Sequence, residues 1–418
     1  MERKNIGFIS TRLAGTDGVS LETQKWAQVL ERDGHLCFYM AGELDTPPER
    51  SRLVKDCHFR NKNIWGIYKG CFNRDTRDPA VTRAVEKYKH KLKNEIRAFI
   101  KQFDLDMLIP ENANAIPFNI PLALAITEII METGIPVIAH NHDFFWERKR
   151  FLHNACWDYL STAFPPDISS MRHVVLNSSQ RHQISLRRGV AATIIPNVMD
   201  FHNDPPPPDG YADDLRERLG IASDEIMVLQ PTRIVQRKGI EHAIELLHRL
   251  PEAAVMVISH ASGDEGNEYY NRIKEYSKLM DVRVIYCADE VGEERAVLKD
   301  GRKVYTLADL YHQADLVTYP SVFEGFGNAF LEAIYYRKPI VVNDYSVYST
   351  DIKPKGFKTI EISGYVTDDA VRDTQEILHN PQLAASMAEH NYALAKRFFS
   401  YNILRQNLRT IMVDFFGS

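Results

Sequence analysis

Two glutamates offer the most chemistry per residue in this chain. Glu324 and Glu332 stand with seven residues between them in the stretch LVTYPSVFEGFGNAFLEAIYYRKPIVVN, residues 316–343. Glu324 falls in a glycine-punctuated loop, and Glu332 about one turn into the helical pattern that starts at Asn328. A carboxylate accepts several hydrogen bonds in fixed directions, which suits the hydroxyls of a sugar. Gly325 and Gly327 let backbone approach a ligand closely, and the free N–H groups at the start of the following helix favour an anion. A second set of charges lies upstream. Arg233 and Lys238 fall on a turn between an apolar run, 227–230, and a helical pattern from residue 240. Two cations at such a turn again stand at a helix start that favours an anion.

The elements needed to hold these groups are readable around them. Residues 316–319 form a short apolar run that suits a buried strand, ended by Pro320. Residues 340–342 begin another after Pro339. Strand, glycine turn, helix and strand make a parallel βαβ unit. The chain start repeats the theme. A strand over 6–10 leads into a loop holding Gly15, Asp17 and Gly18, a helix over 21–32 and a strand over 35–40. The glycines there do not spell GxGxxG, so a dinucleotide-dependent oxidoreductase is disfavoured. Further strands are expected at 107–109, 136–139, 173–176, 255–259 and 282–286, with Gly263 and Gly266 beyond the fourth of these. A helix over 81–103 carries lysines and arginines expected to be solvated, with a lipid-facing role as the alternative.

At 418 residues, two domains are the expectation. Hydrophobic residues at 44% and charged residues at 26% are values of an ordinary globular chain. A net charge of −5 argues against a nucleic-acid partner. The five cysteines are scattered, so reduced structural thiols in a cytoplasmic protein are expected. The first residues lack the long apolar region of a signal peptide, and no run reaches the length of a membrane span.

PSxxEGFGNxxLEA, with its paired glutamates, resembles the signature of retaining nucleotide-sugar glycosyltransferases of the GT-B fold, family 4, the glycosyl transferases group 1. Arg233 and Lys238 match that family's R-x4-K-G element, and residues 193–200 resemble its strand-IPNxxD exit from the first domain. The resemblance implies two doubly wound Rossmann-like α/β domains facing across a cleft. It places an acceptor domain at 1–200, a linker at 201–213, a donor domain at 214–395 and a helix at 396–418 crossing back. It implies transfer of a hexose from a UDP- or GDP-sugar with retention of the α configuration, with no required cofactor and no metal.

By the same resemblance, Glu324 contacts the donor sugar and Glu332 the ribose. Backbone amides of Phe326, Gly327 and Asn328 meet sugar and diphosphate, Arg233 and Lys238 clasp the diphosphate, and Gly18 approaches it. His142 contacts the sugar, with His140 as the rival assignment. Residues 287–289 and His312 frame the base. The pair His140 and His142 could instead bind metal, but the sequence shows no third ligand of suitable spacing nearby. Arg237 is expected to be exposed.

For the acceptor, Asp17, Asn112, Arg148 and Arg150 are the candidates. The basic triplet 148–150 is either a solvated face or a site for a phosphate or carboxylate. A small, possibly anionic acceptor such as a glycerate or sugar phosphate is the expectation. A lipid or polysaccharide acceptor and a non-catalytic sugar-nucleotide or glycan-binding protein are the alternatives. Residues 42–80, 290–304 and 344–357 carry no assignable role, and the oligomeric state is not readable.

Overall fold

The structure is a computed structural model that describes residues 2–15, 17–262 and 266–417. Gly263, expected beyond the strand at 255–259, lies outside the described residues.

The chain divides into two compact units, 1–198 with 401–418, and 199–400. The segment expected to be a linker, 201–213, is counted with the second unit, as is 396–400. Its residues are anchored there. Phe201 is fully buried, and the Tyr211 hydroxyl donates to the Ala296 and Val304 carbonyls at 2.9 and 3.0 Å.

The first unit is built on a parallel sheet of β1 (Asn5–Ile9), β2 (Leu36–Ala41), β3 (Ser51–Leu53), β4 (Met107–Pro110), β5 (Val137–Asn141), β6 (Met171–Val175) and β7 (Ala192–Ile194). Their order is β3-β2-β1-β4-β5-β6-β7. The reversal between β1 and β4 is a switch point, where ligands collect at the carboxyl ends of doubly wound sheets. Central strands are buried on both faces, which is why they read as unbroken apolar runs. The helix Gly18–Arg32 starts three residues before its expected start because Asp17 caps it, accepting from the Val19 and Ser20 amides at 3.0 and 3.3 Å.

The helix Tyr401–Phe416 lays Tyr401, Leu404, Leu408, Ile411 and Met412 into the same core as Ile6, Phe8, Trp26 and Leu30. Arg405 and Arg409 pair with Asp33 at the end of the first helix. The basic face of the helix Pro79–Phe103 is less solvated than expected. Lys89 and Lys93 are ion-paired with Glu128 and Glu132 of the neighbouring helix Ile120–Thr133.

The second unit holds β8 (Ile226–Gln230), β9 (Ala254–Ile258), β10 (Arg283–Tyr286), β11 (Ala296–Val297), β12 (Lys303–Val304), β13 (Leu316–Tyr319), β14 (Ile340–Asn343) and β15 (Ile360–Ile362). Six of them form a parallel sheet, β10-β9-β8-β13-β14-β15, while β11 and β12 make a small antiparallel hairpin within 290–304. Here the switch point lies between β8 and β13, so the loops after these two strands emerge side by side.

No helix among the described residues is long and apolar enough to cross a membrane. All five cysteines are buried and unpaired by disulfides.

Candidate active site

The two loops at the second switch point fit against each other through backbone. Gly239 adopts φ +56°, and a Cβ there would meet the Pro320 carbonyl at 2.5 Å. The Val322 amide donates to the Arg237 carbonyl at 2.8 Å. The R-x4-K-G turn and the glutamate loop are therefore one structure. Beneath them, buried Gln230 donates to Thr232 at 2.8 Å and accepts from Thr318 at 2.7 Å, tying β8 to β13.

Glu324 is buried at the centre of this structure. Lys238 Nζ contacts its Oε1, and Arg237 Nη1 lies 2.9 Å from its Oε2. Burial pushes the Glu324 carboxyl up, but the charges of Lys238 and Arg237 outweigh burial and hold it below the usual carboxylate range. For Lys238 the balance tips the other way. Burial, with Arg237 and Arg233 nearby, lowers its pKa despite Glu324. The direction that geometry favours is an ionised Glu324 between two cations. Lys238 Nζ also sits 5.1 Å over the Tyr319 ring.

Arg237 corrects the expectation of an exposed side chain. It is half-buried and turned onto Glu324, because a buried acid needs more than one cation to offset its desolvation. Arg233 is exposed, and no hydrogen bond or ion pair engages it among the described residues.

The helix Asn328–Tyr335 begins at Gly327, whose φ is +130°. A Cβ on Gly327 would meet the Tyr345 hydroxyl at 2.8 Å and the Tyr319 ring at 3.2 Å, so only glycine fits. Phe326 is buried against Phe399. Glu332 Oε2 accepts from the Tyr311 hydroxyl at 3.1 Å. The neighbour on the preceding helix is thus Tyr311; His312 packs edge-on against Tyr336.

Tyr345 lies in the segment that carried no readable role. Its hydroxyl donates to the Phe326 carbonyl at 2.8 Å and so holds the glycine loop in place. An aromatic residue after a strand was the only signal for it.

In the first unit the strand ends of β4 and β5 bring Glu111, His140 and His142 together. Their ligand atoms lie within 4.8 Å of one another. Glu111 is the acidic neighbour that sequence spacing did not offer the two histidines. Its Oε2 lies 3.2 Å from His142 Nε2 and 2.9 Å from His140 Nδ1. Trp26 stacks on His140 at 4.0 Å, while His142 retains slight exposure. Burial lifts the Glu111 pKa to about 7, with His142 opposing and Glu22 reinforcing the shift. Burial also drops His140 to about 3 and lowers His142, the latter partly restored by Glu111.

Asn112 and Arg148 join His142 through Asp143. Asn112 Nδ2 donates to Asp143 at 2.9 Å, Asn112 Oδ1 accepts from the His142 amide at 3.1 Å, and Arg148 is ion-paired with Asp143. Arg150 is exposed and lies 4.7 Å over the Phe118 ring. Asp17 is occupied as a helix cap and by Arg12 at 2.9 Å, because an acid there satisfies free amides. Gly18 is the first residue of that helix, and nothing lies within 4 Å of where its Cβ would be, so packing does not demand glycine.

Two doubly wound sheets with a cation–carboxylate cluster at the second one's switch point define a class: a glycosyltransferase of the GT-B fold, drawing hexose from a sugar nucleotide. The full chain superposes on a glycosyltransferase from Rickettsia africae ESF-5 with a TM-score of 0.70, covering 100% of both chains at 14% identity. Residues 212–394 match the family model for glycosyl transferases group 1. Mannosylglucosylglycerate synthases of Thermotoga maritima and Petrotoga mobilis are 31% and 30% identical to it. Each alignment covers 96% of this chain, and 98% and 100% of the respective relatives. The chain belongs to the glycosyl transferases group 1 family.

Proposed function

We propose that the protein transfers a hexose from a UDP- or GDP-hexose to a small anionic acceptor of the glycerate type, forming an α-glycosidic bond with retention. The observation that carries the reading is the joining of Lys238 and Arg237 to Glu324, with Arg233 on the same turn, at the carboxyl edge of the second sheet, where a pyrophosphate needs cations and its sugar needs an acceptor of hydroxyl hydrogen bonds. Two relatives that this chain matches almost end to end are named for a product containing mannose, glucose and glycerate. That supports mannose as the hexose and a glycosylated glycerate as the acceptor.

In the proposed reaction, the bond from sugar C1 to the diphosphate oxygen breaks. The acceptor hydroxyl oxygen bonds to C1, and its proton passes to the departing phosphate. Arg233 and Lys238 stabilise the charge that grows on that phosphate. Glu324 orients the sugar, the amides of Phe326, Gly327 and Asn328 hold sugar and diphosphate, and Glu332 holds the ribose. Donor binding is assigned to the second unit, with Gly18 as a further phosphate contact. Acceptor binding is assigned to the first unit, with His142 at the sugar and Asn112, Arg148, Arg150 and Asp17 toward the acceptor carboxylate. Five unpaired, buried thiols suit the reducing cytoplasm.

Purified protein incubated with GDP-mannose or UDP-glucose, and with glycerate, 3-phosphoglycerate or glucosylglycerate, is expected to give one product heavier by a hexose in mass spectrometry. Retained α configuration would appear in the one-bond carbon–proton coupling of its anomeric signal. Absence of a hexose adduct with every glycerate-type acceptor, alongside transfer to a diacylglycerol or glucan, would overturn the acceptor assignment.

A further inference from the structure

His260 is a basic residue at the donor edge that the proposed reaction leaves unused. It follows β9 by two positions. In the register of β8 and β9, Ile258 stands beside Gln230, so His260 emerges next to residues 232 and 233. The Ile234 amide donates to the Ala261 carbonyl at 3.4 Å and links the two loops beyond the strand ends. The imidazole is half-buried, with Nδ1 2.7 Å from Ser259 Oγ. That contact engages Nδ1, and Nε2 makes no hydrogen bond among the described residues.

Among the described residues, the charges around the ring are unbalanced. Ser259 flanks it on its own segment, and Arg233 and Lys238 face it from the turn after β8. Lys238 has Glu324 as counter-ion. Arg233 and His260 have no acid among the described residues. Burial first, then Arg233 and Lys238, hold the ring below the ordinary histidine range, so it is biased toward neutral while the edge is empty. A diphosphate beside it reverses that bias, since an anion favours the charged imidazole.

We propose that His260 is a further ligand of the donor diphosphate, its Nε2–H donating to a phosphoryl oxygen and its ring taking up a proton as the sugar nucleotide binds. The inference rests on the donor-site reading given above. It makes donor affinity fall as pH rises, whereas Arg233 alone would bind with little dependence on pH near neutrality.

Titration calorimetry with GDP-mannose and UDP-glucose tests this in the absence of acceptor. Both phosphates of these probes are esterified and keep constant charge from pH 6 to 9. Measured in two buffers of different ionisation enthalpy, wild-type protein is expected to take up a fraction of a proton on binding at pH 7. His260→Ala should bind about tenfold more weakly at pH 6.5, the loss of one charge-assisted hydrogen bond, and only slightly more weakly at pH 8.5. His260→Arg should keep the affinity and lose the proton uptake, which separates the charge from any folding defect. Wild-type affinity and unchanged proton uptake in His260→Ala would overturn the proposal. Weakened binding in Arg233→Ala beside intact binding in His260→Ala would remove His260 alone. Unchanged binding in both, or no binding of either probe to wild-type protein, would remove the donor-site reading with it.

Discussion

Each unit buries a glutamate at the carboxyl edge of its sheet, and the two acids end in opposite protonation balances. Glu324 meets Lys238 and Arg237, and their charges hold it ionised. Burial lifts the pKa of Glu111 to about 7, and the two imidazoles beside it, kept neutral by their own burial, do not offset that rise. The residue type is the same and the burial is comparable. What differs is whether the neighbours can carry charge in a dry environment, which guanidinium and ammonium do and a desolvated imidazole does not. The second unit therefore presents fixed charge, suited to a leaving diphosphate. The first presents a carboxyl near its titration point beside neutral imidazoles, a setting suited to neutral hydroxyls.

The largest expected effect breaks the fixed-charge side. Lys238→Ala leaves Glu324 with Arg237 alone, and the transfer rate is expected to fall about 10²–10³-fold. Initial rates at saturating donor, with circular dichroism to verify folding, measure it. The double variant Lys238→Ala/Glu324→Ala should recover melting temperature without recovering rate. Recovery of rate would mean that Lys238 serves only to neutralise Glu324.

An intermediate effect sharpens the titrating side. Glu111 binds its proton more tightly folded, at about 7, than at the ordinary 4.5. Its contribution to stability is complete below about pH 4.5 and is lost as pH rises through 7. His140 runs the other way, from 6.5 down to about 3, so its contribution is present above pH 6.5 and lost as pH falls. Glu111→Gln deletes only the first of these. Its stability relative to wild type should rise between pH 5 and 8, with a slope of up to about 1.4 kcal/mol per pH unit. Urea denaturation across that range checks the slope, and parallel curves would show that Glu111 is ionised in the fold.

The smallest effect concerns the support of the glycine loop. Tyr345→Phe removes the hydrogen bond to the Phe326 carbonyl and is expected to cost about 1 kcal/mol of stability and a few-fold in turnover. Thermal melts and steady-state rates measure both. An effect confined to melting temperature would separate the loop's fold from its chemistry.

The strand at 316–319 and the helix from Asn328 stand where the apolar run and the glycines put them, because a strand buried on both faces admits no polar break. The R-x4-K-G turn was equally legible. Its partnership with the glutamate loop was visible only as resemblance, and the physical reason, Gly239 packing on the Pro320 carbonyl, needs coordinates. The partners of Arg237 and Glu111 escaped the sequence for a shared reason. Arg237 finds Glu324 87 residues on, and Glu111 finds His142 31 residues on. Parallel sheets join distant segments at their edges, so side-chain partners follow strand order and not spacing. Tyr345 and His260 escaped because a lone aromatic or histidine after a strand has no local pattern. Register against a neighbouring strand is what gives it meaning.

The helix Tyr401–Phe416 completes a core whose other contributors end at residue 198. During synthesis, the nascent first half waits with the apolar flank of Trp26 and Leu30 uncovered until some two hundred further residues have been translated. A gene cut at the apparent boundary would encode a fragment with that flank open to water and prone to stick to its own kind. Fusing the distal segment directly behind residue 198 is the arrangement that would give an autonomous half.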